Sequence, residues 1–485
     1  MRFVDEISKH KKDGTTKKLD SRIDPLLSDT YGIIIFQEQI MALCRVMAKF
    51  TPLETNSVRK IIGKKLVSEM PKWKGKFIQQ SIDNGYKKEL VEDVWRTFED
   101  SGNYLFNRSH SCGYSYLTAI CCYLKANYPV PFFCASLNSA KDEADPIGEI
   151  STIQRELRYF NIRLLPPHII KSDINFTIEK DDKTGDNNIR FGLSNIKGIS
   201  EKSIEKLKNF KHTHSNKFQL FSAANECKIP IQITSALIMS GSFDDMLTES
   251  RSKTMLEAIL WNFLSVKEKM KCLELGESLK FDLISCVKAM HETIKTANGK
   301  NTFIKDSRYE TIKKKVTPYF DVYKYNNKNP ELANWFFESQ LLGFSYSTNL
   351  LNIFKKICPD MIDIFNVNQS LDNDNVHFVG QVAEVKQGKS REKATPYLRL
   401  TVKDHCGSIG VMLFNTARQN SIEECEENNG RLPEEGDIVS IRGTKKDGDT
   451  VFARNVGIQD CKVLNRISQL KDLNITSEDN TEEKI

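Results

Sequence analysis

No stretch of this 485-residue chain approaches the ~18 consecutive apolar residues of a membrane span. Its first residues, MRFVDEISKHKK, hold no apolar core of a secretion signal, so a cytoplasmic chain is expected. Paired metal-binding cysteines are missing as well. None of the 12 Cys forms C-x-x-C, and no His stands at zinc-finger spacing from a Cys pair. His212 and His214 lie two apart, but no carboxylate or Cys cluster completes a site. No metal is expected on this chain, and a reducing compartment fits its free thiols. With 39% hydrophobic, 28% charged and 9% aromatic residues, the composition is neither disordered nor a disulfide scaffold. The length predicts three or four domains.

A net charge of +6 says little about partners, but its distribution says more. Residues 1–130 carry 21 Lys+Arg and 15 Asp+Glu, and the remainder carries 49 of each. The whole surplus sits in the first quarter, which makes that segment the candidate polyanion surface.

Residues 30–138 read as helices. Ile40, Leu43, Cys44, Met47 and Phe50 recur along one face, and Thr51-Pro52 ends that run. Further helices are predicted over 54–62, 67–83, 87–100 and 112–128, the last closed by Pro129 and Pro131. A helix over 146–160, an extended LLPP stretch and a hairpin around DDKTGDNN follow. Short helices return over 192–265, and residues 266–370 read as a helical or flexible connector rich in Lys and Asn. HFVGQVAEV, YLRLTVKD, IGVMLF and DIVSIRGTKKDGDTVFARNVGI then give at least five short strands, interrupted by a helix-like stretch over 416–428. Five strands in under 100 residues predict a small closed barrel of the oligonucleotide-binding (OB) type. The class is therefore multidomain α+β, mainly helical and ending in a small all-β barrel. The predicted domains are 1–140, 141–265, 266–370 and 371–465, with a disordered acidic tail over 466–485.

Four stretches carry chemistry. In NYLFNRSHSCGYSYL (103–117), Asn107, Arg108, Ser109 and His110 stand just ahead of an apolar helix. A helix N-terminus with added cations can hold phosphate; the plainer reading is a capping segment. In NSVRKIIGKK (56–65), Arg59, Lys60, Lys64 and Lys65 crowd around Gly63, and a solvated Lys-rich face is the alternative. LSNIKGISEKSIEKL (193–207) holds an Ile196-Lys197-Gly198-Ile199 turn between helical halves. That is helix-hairpin-helix chemistry, with Lys197, Gly198, Ser200 and Lys202 as backbone-phosphate contacts, against an ordinary αα-turn. In KQGKSREKATPYLRL (386–400), basic Lys386, Lys389, Arg391 and Lys393 precede Tyr397, which suits single-stranded nucleic acid or a merely solvated loop.

Their order along the chain is distinctive. The run DTYGIIIFQEQIMAL…VRKIIGKK…FNRSHSCGYSYLTAICCYLKANYPVPFFCASLNS closely resembles the bacterial replicative DNA polymerase III alpha subunit, of the C-family polymerases. The resemblance continues through LLPP, IRFGLSNIKGIS, ITSALIMSGSFDDM and ESQLLGFSYS to YLRLTVKDHCGSIGVMLF, covering most of residues 25–460. It implies a fingers domain over 1–140, a helix-hairpin-helix duplex-binding region and an OB domain. By matched position, Arg59, Lys60, Gly63, Lys64, Lys65, Asn107, Arg108, Ser109 and His110 become candidates to bind dNTP and primer–template. Arg108 stands where the family usually has Lys, Lys60 and Ile61 where it commonly has Arg and Ala, and Leu105 where it has Gly.

In that family the palm aspartates that hold Mg2+ precede the point where this chain begins, and no D-x-D strand motif with a later partner Asp is found here. The expectation is the C-terminal half of a split, phage-like polymerase, inactive alone, in a bacterial or phage-infected cell. A separate palm-containing chain would supply catalysis. Primer–template DNA, a single-stranded template and dNTP are the other partners implied. A sliding clamp is a further candidate, although LKFDLIS (279–285) matches the Q-x-x-L-F clamp motif poorly. The rival expectation is a non-enzymatic DNA-binding scaffold subunit, whose DNA binding would not respond to dNTP.

Overall fold

The computed structural model describes residues 2–64, 66, 68–101, 107–199, 201–210, 214–247, 249–296, 299, 301–389, 395–416, 419–446 and 448–459. It divides into two compact units, residues 1–127 and 128–485.

The first unit is helical: α1 (Arg2–Asp13), α2 (Gln37–Ala48), α3 (Pro52–Lys64), α4 (Met70–Asp83), α5 (Lys88–Ser101) and α6 (Arg108–Asn127). The predicted stripe of α2 is buried, with Ile40, Leu43, Cys44 and Met47 in one core with Phe77, Trp95 and Phe98. Lys49, left-handed at φ 54°, ends α2. Pro52 opens α3, where its missing N–H costs nothing. Thr51 and Glu54 cap that helix reciprocally: Thr51 N–H donates to Glu54 (2.8 Å) and Glu54 N–H to Thr51 Oγ1 (3.4 Å). The helix predicted over 112–128 begins earlier, at Arg108, because Asn107 caps it. The polar run thus forms its first turn. Within this unit no side chain of α6 is buried, and residues 111–124 carry no charge.

The second unit opens with α7 (Pro129–Ser139) and α8 (Pro146–Leu157). A small sheet follows in the order β1 (Leu164–Leu165), β3 (Asn187–Arg190), β2 (Thr177–Lys180). Here β2 and β3 form the predicted hairpin and β1 adds parallel to β3. Helices α9 (Glu201–Phe210), α10 (Lys217–Glu226), α11 (Ile231–Met239) and α12 (Arg251–Phe263) come next. Then come α13 (Val266–Leu275), α14 (Leu283–Glu292), α15 (Asp306–Lys328), α16 (Pro330–Leu342), α17 (Leu350–Lys355) and α18 (Ile364–Gln369). Residues 266–370 are thus helical, and Cys272, Met290, Ile312 and Phe336 share one core with Phe133, Phe191 and Trp261. Their low hydropathy reflects the long exposed side of α15, which buries only Ile312 and Asn326.

The helix-hairpin-helix stretch differs from expectation on its first side. Instead of a helix, only a 3-10 turn, Leu193–Asn195, precedes the Ile196–Ile199 turn, and α9 follows it. Leu193 and Ser194 N–H donate instead to the carbonyls of Asp173 (2.9 Å) and Ile174 (3.0 Å). Gly192 lies so close to Asn175 that an added Cβ would sit 2.3 Å from its carbonyl carbon.

The C-terminal barrel uses β4 (Asn375–Lys389), β5 (Pro396–Lys403), β6 (Ser408–Thr416), β8 (Ile438–Lys446) and β9 (Thr450–Gln459). The two-residue β7 (Gln419–Asn420) and α19 (Ser421–Asn429) lie between β6 and β8. Strands pair in the order β5-β4-β8-β9-β6, and β5 pairs again with β6, closing the ring. The β6–β9 pairing is parallel and the others antiparallel. A closed five-stranded ring with a helix between its third and fourth strands is OB topology. The expected tail, 466–485, lies outside the described residues.

One buried ion pair in this unit gives a pH prediction. Glu257 is fully buried against Lys217. Burial pushes its carboxyl up to about 7, with the Lys217 ammonium opposing. A folded-state value above the unfolded one means protonation favours the fold. This contribution is therefore full below about pH 4.3 and lost as pH rises to about 7. Glu257→Gln is expected to flatten the pH dependence of urea unfolding in that window; an unchanged slope would contradict the assignment.

Candidate nucleotide and nucleic-acid interface

In the first unit one turn of α2 gathers the two polar blocks. Arg59, half-buried on α3, donates from Nε (3.2 Å) and Nη2 (3.0 Å) to Asn56 Oδ1, and from Nη1 to Gln37 Oε1 (3.2 Å). Next door, both Glu38 carboxylate oxygens accept from the Arg108 N–H, at 3.1 and 3.0 Å. Gln39 then takes the N–H groups of Ile35 (2.9 Å) and Phe36 (3.0 Å) and donates to Thr30 Oγ1 (2.7 Å). Each residue of the Gln37-Glu38-Gln39 block has its own task. Together they fix α3 and the start of α6 to a common support.

At that start, Asn107 Oδ1 accepts from the N–H of Ser109 (3.0 Å) and His110 (3.3 Å), and from the Ser109 hydroxyl. With Glu38 on the Arg108 amide, the first amides of α6 have internal acceptors. What this end offers a phosphate is therefore side chains. Arg108 is paired with Asp29 and lies 5.6 Å from the Phe36 ring centre. The His110 ring packs on Tyr114, with centroids 4.6 Å apart. On α3, Lys60 and Lys64 are exposed and lie one turn apart, while Gly63 shares the Arg59 side. A Cβ at Gly63 would meet nothing within 4 Å, so that side is open to an approaching group. Lys65 lies outside the described residues.

In the second unit Lys197 and Gly198 are exposed at the hairpin turn. Gly198 has φ +93°, a conformation that favours glycine. The Lys197 N–H is already spent on the Leu341 carbonyl at the end of α16 (3.0 Å). Ser200 and the Lys202 side chain lie outside the described residues. On the barrel, Lys386 and Lys389 are exposed near the β4–β5 connection, and Lys386 pairs with Glu384 at 2.7 Å. Tyr397 lies across Gly388, its cross-strand partner, where a Cβ would sit 2.6 Å from the phenol oxygen. Arg391 and Lys393 lie outside the described residues. Arg399, opposite Lys386 and exposed, adds a cation that the sequence reading did not single out.

The residues that sequence reasoning missed are Gln37, Glu38, Asn56 and Asp29. The QEQ block was visible as a motif, but its individual partners are tertiary. Because Gln37 holds one edge of the Arg59 guanidinium, Gln37→Ala is expected to weaken triphosphate binding about 5–10-fold, the scale of one hydrogen bond to a charged group. Its effect should shrink once Arg59 is replaced. A double-mutant cycle checks this, and additive losses would refute it.

The one cluster of three candidate metal ligands among the described residues is Asp404, His405 and Cys406. Asp404 already accepts from the N–H groups of Ile364 (2.9 Å), Cys406 (2.7 Å) and Gly407 (2.9 Å). A magnesium ion takes oxygen ligands in an octahedron, so this cluster does not fit one.

Comparison with known proteins places these features. Residues 1–85 match the family described as bacterial DNA polymerase III alpha subunit finger domain, and residues 161–254 match the helix-hairpin-helix motif family. The chain is 35% identical over 241 residues to DNA polymerase III subunit alpha of Aquifex aeolicus, covering 49% of this chain and 20% of that protein. It is 25% identical to the same subunit of Helicobacter pylori, over 87% of this chain and 33% of that one. With Borreliella burgdorferi the identity is 25%, over 93% of this chain and 36% of the other. The chain thus spans between a fifth and about a third of the length of these relatives. No helix among the described residues is long and apolar enough to cross a membrane.

Proposed function

We propose that this relative of DNA polymerase III subunit alpha contributes the fingers, hairpin and barrel elements of a DNA replication polymerase whose catalytic carboxylates lie on a separate, palm-containing chain. The observation that carries the reading is the α2 turn. Gln37 and Glu38 hold Arg59 and the Asn107–His110 segment on one support, and Gln37, Glu38 and Arg59 lie within residues 1–85, the stretch similar to polymerase fingers.

A dNTP brings up to four negative charges, and as its α-phosphorus bonds the primer 3′-oxygen the β- and γ-phosphates leave as pyrophosphate, so its site must be cationic and pre-set. Arg59 supplies a planar donor whose orientation is fixed before ligand arrives. Lys60 and Lys64 add exposed charge along the same helix, Lys65 follows them in the sequence as a further candidate, and Arg108, Ser109 and His110 add donors from α6. Metal ions, bound by carboxylates outside these residues, would neutralise the charge that develops in phosphoryl transfer. Lys197, Gly198, Ser200 and Lys202 would hold duplex backbone. Lys386, Lys389, Arg391, Lys393 and Tyr397 would hold single-stranded template.

Primer extension tests this reading. The chain combined with a palm-containing chain should extend a primer, and neither should do so alone. Extension by the palm chain alone at the rate of the mixture would refute the split arrangement. The scaffold reading separates from it in a binding assay: complementary dNTP should tighten primer–template binding by the complex, whereas a scaffold shows no such response.

A further inference from the structure

Within the second unit, α8, the Ser194–Ile199 turn, the end of α16 and the β5–β6 turn enclose a cleft of about 560 Å³. Its wall carries Lys141, Arg155, Arg158, Lys197 and Lys403. Among the described residues, none of the last four holds a carboxylate. Arg155 contacts only the Thr152 hydroxyl one turn back (3.4 Å), and Arg158 approaches the Cys406 thiol. Elsewhere in the same unit Arg163, Arg190, Arg251, Arg308 and Arg431 each have a carboxylate partner, while Arg454 bonds the neutral side chains of Asn375 and Thr444.

The two acids of the cleft do not serve these cations. Asp145 caps α8 through the Gly148 N–H (3.1 Å), and Asp404 is turned into three backbone N–H groups. Two uncommitted donors or acceptors add to the wall. Gly198 stands in an open turn, and its N–H makes no backbone hydrogen bond among the described residues. His405 Nδ1 is shielded from solvent and makes no hydrogen bond, its nearest carboxylate being Asp404 at 3.9 Å.

The wall thus carries five cations against two carboxylates, a surplus that favours an anion from outside, and four of those cations have no carboxylate partner among the described residues. They sit on three separate elements, α8, the hairpin turn and the end of β5, instead of converging on one point. That spread suits successive phosphates along a chain better than one clamped triphosphate. We propose that this cleft binds the phosphodiester backbone of single-stranded nucleic acid between the hairpin turn and the barrel. Lys197 and Gly198 are shared with the duplex contacts assigned above, whereas Arg155, Arg158, Lys403 and His405 belong to none of them. The inference also does not depend on the fingers reading, since strand binding is read without dNTP.

The test is binding of a fluorescein-labelled oligo(dT) to the full chain, followed by anisotropy between about 50 and 200 mM salt. Arg155→Gln with Arg158→Gln is expected to weaken binding about tenfold at the low-salt end. It should also make the plot of log affinity against log salt shallower by about 1.4, at ~0.7 per lost phosphate contact. Arg155→Lys with Arg158→Lys should keep most of the affinity. An unchanged melting temperature in both variants shows that the fold is intact. Unchanged affinity and slope in the Gln variant would overturn the proposal. Inorganic tripolyphosphate is the second probe. If its binding is lost in the Gln variant while oligo(dT) binding is not, the phosphate belongs to a free nucleotide and the strand assignment falls.

Discussion

Arg59→Ala is expected to lower primer extension by the reconstituted complex about 100-fold, with little change in melting temperature. The estimate follows from the side chain's surroundings. Three of its N–H bonds are held by Asn56 and Gln37, so the guanidinium plane is set before any ligand arrives. Its remaining donors would then meet phosphate with little ordering cost. Charge-assisted hydrogen bonds contribute about 1.5–3 kcal/mol each, and 1.4 kcal/mol is a factor of ten, so one or two lost bonds reach this scale. Arg59→Lys should recover little, because an ammonium can neither fill the Asn56–Gln37 fork nor present a second flat edge. Single-turnover incorporation measured against dNTP concentration is the check. Extension unchanged by Arg59→Ala would remove the residue from the nucleotide site.

The largest stability effect is expected at Glu338, in the second unit. This carboxylate is fully buried. It accepts from Arg251 Nη1 (2.7 Å), the Ser345 hydroxyl (2.7 Å) and Tyr346 N–H (2.9 Å). The Ser347 N–H (3.1 Å) and hydroxyl (3.0 Å) donate to it as well. Arg251 in turn binds Asp244 and the Tyr346 phenol, and burial drives the phenol's pKa far upward against the opposing Arg251 charge. Glu338→Ala leaves four donors and a nearly buried guanidinium short of their acceptor. Removing one side of a buried pair costs about 3–5 kcal/mol, a large fraction of ordinary domain stability. Urea unfolding followed through Trp261 and Trp335 should move to lower midpoint. Glu338→Gln, which keeps one acceptor, should lose less. A loss under about 1 kcal/mol for the Ala variant would mean that water replaces the network, against the burial seen here.

Much of this was legible in the sequence, for identifiable reasons. The α2 stripe, the β2–β3 hairpin and the barrel strands follow from period 3.6 and period 2, which local sequence sets directly. The hairpin stretch misled on one side: LSNIKG has helical spacing, but the neighbouring Asp173–Asn175 backbone competes for its amides and leaves one 3-10 turn. The charged character of 266–370 hid packing, since α15 wets most of its circumference while still burying Ile312. In the first unit the blocks around Arg59 and Arg108 could be located, but not their support. Gln37 reaches Arg59 across 22 residues and Glu38 reaches Arg108 across 70, and no spacing rule covers such distances. The cations of the cleft were hidden for another reason. Arg155 and Arg158 look like ordinary helix-surface charges until the absence of their carboxylates is seen in three dimensions.

The bare length of α6 has a consequence for handling the protein. Fourteen consecutive residues without a charge, among them Tyr114, Tyr116, Leu117, Tyr123 and Leu124, face water in the first unit. A helix of this composition is ordinarily covered on every side. Left uncovered, it is a self-association hazard during expression and concentration. Yield and monodispersity should therefore depend on what is synthesised alongside the chain, and co-expression is a sounder route to a complex than mixing purified parts.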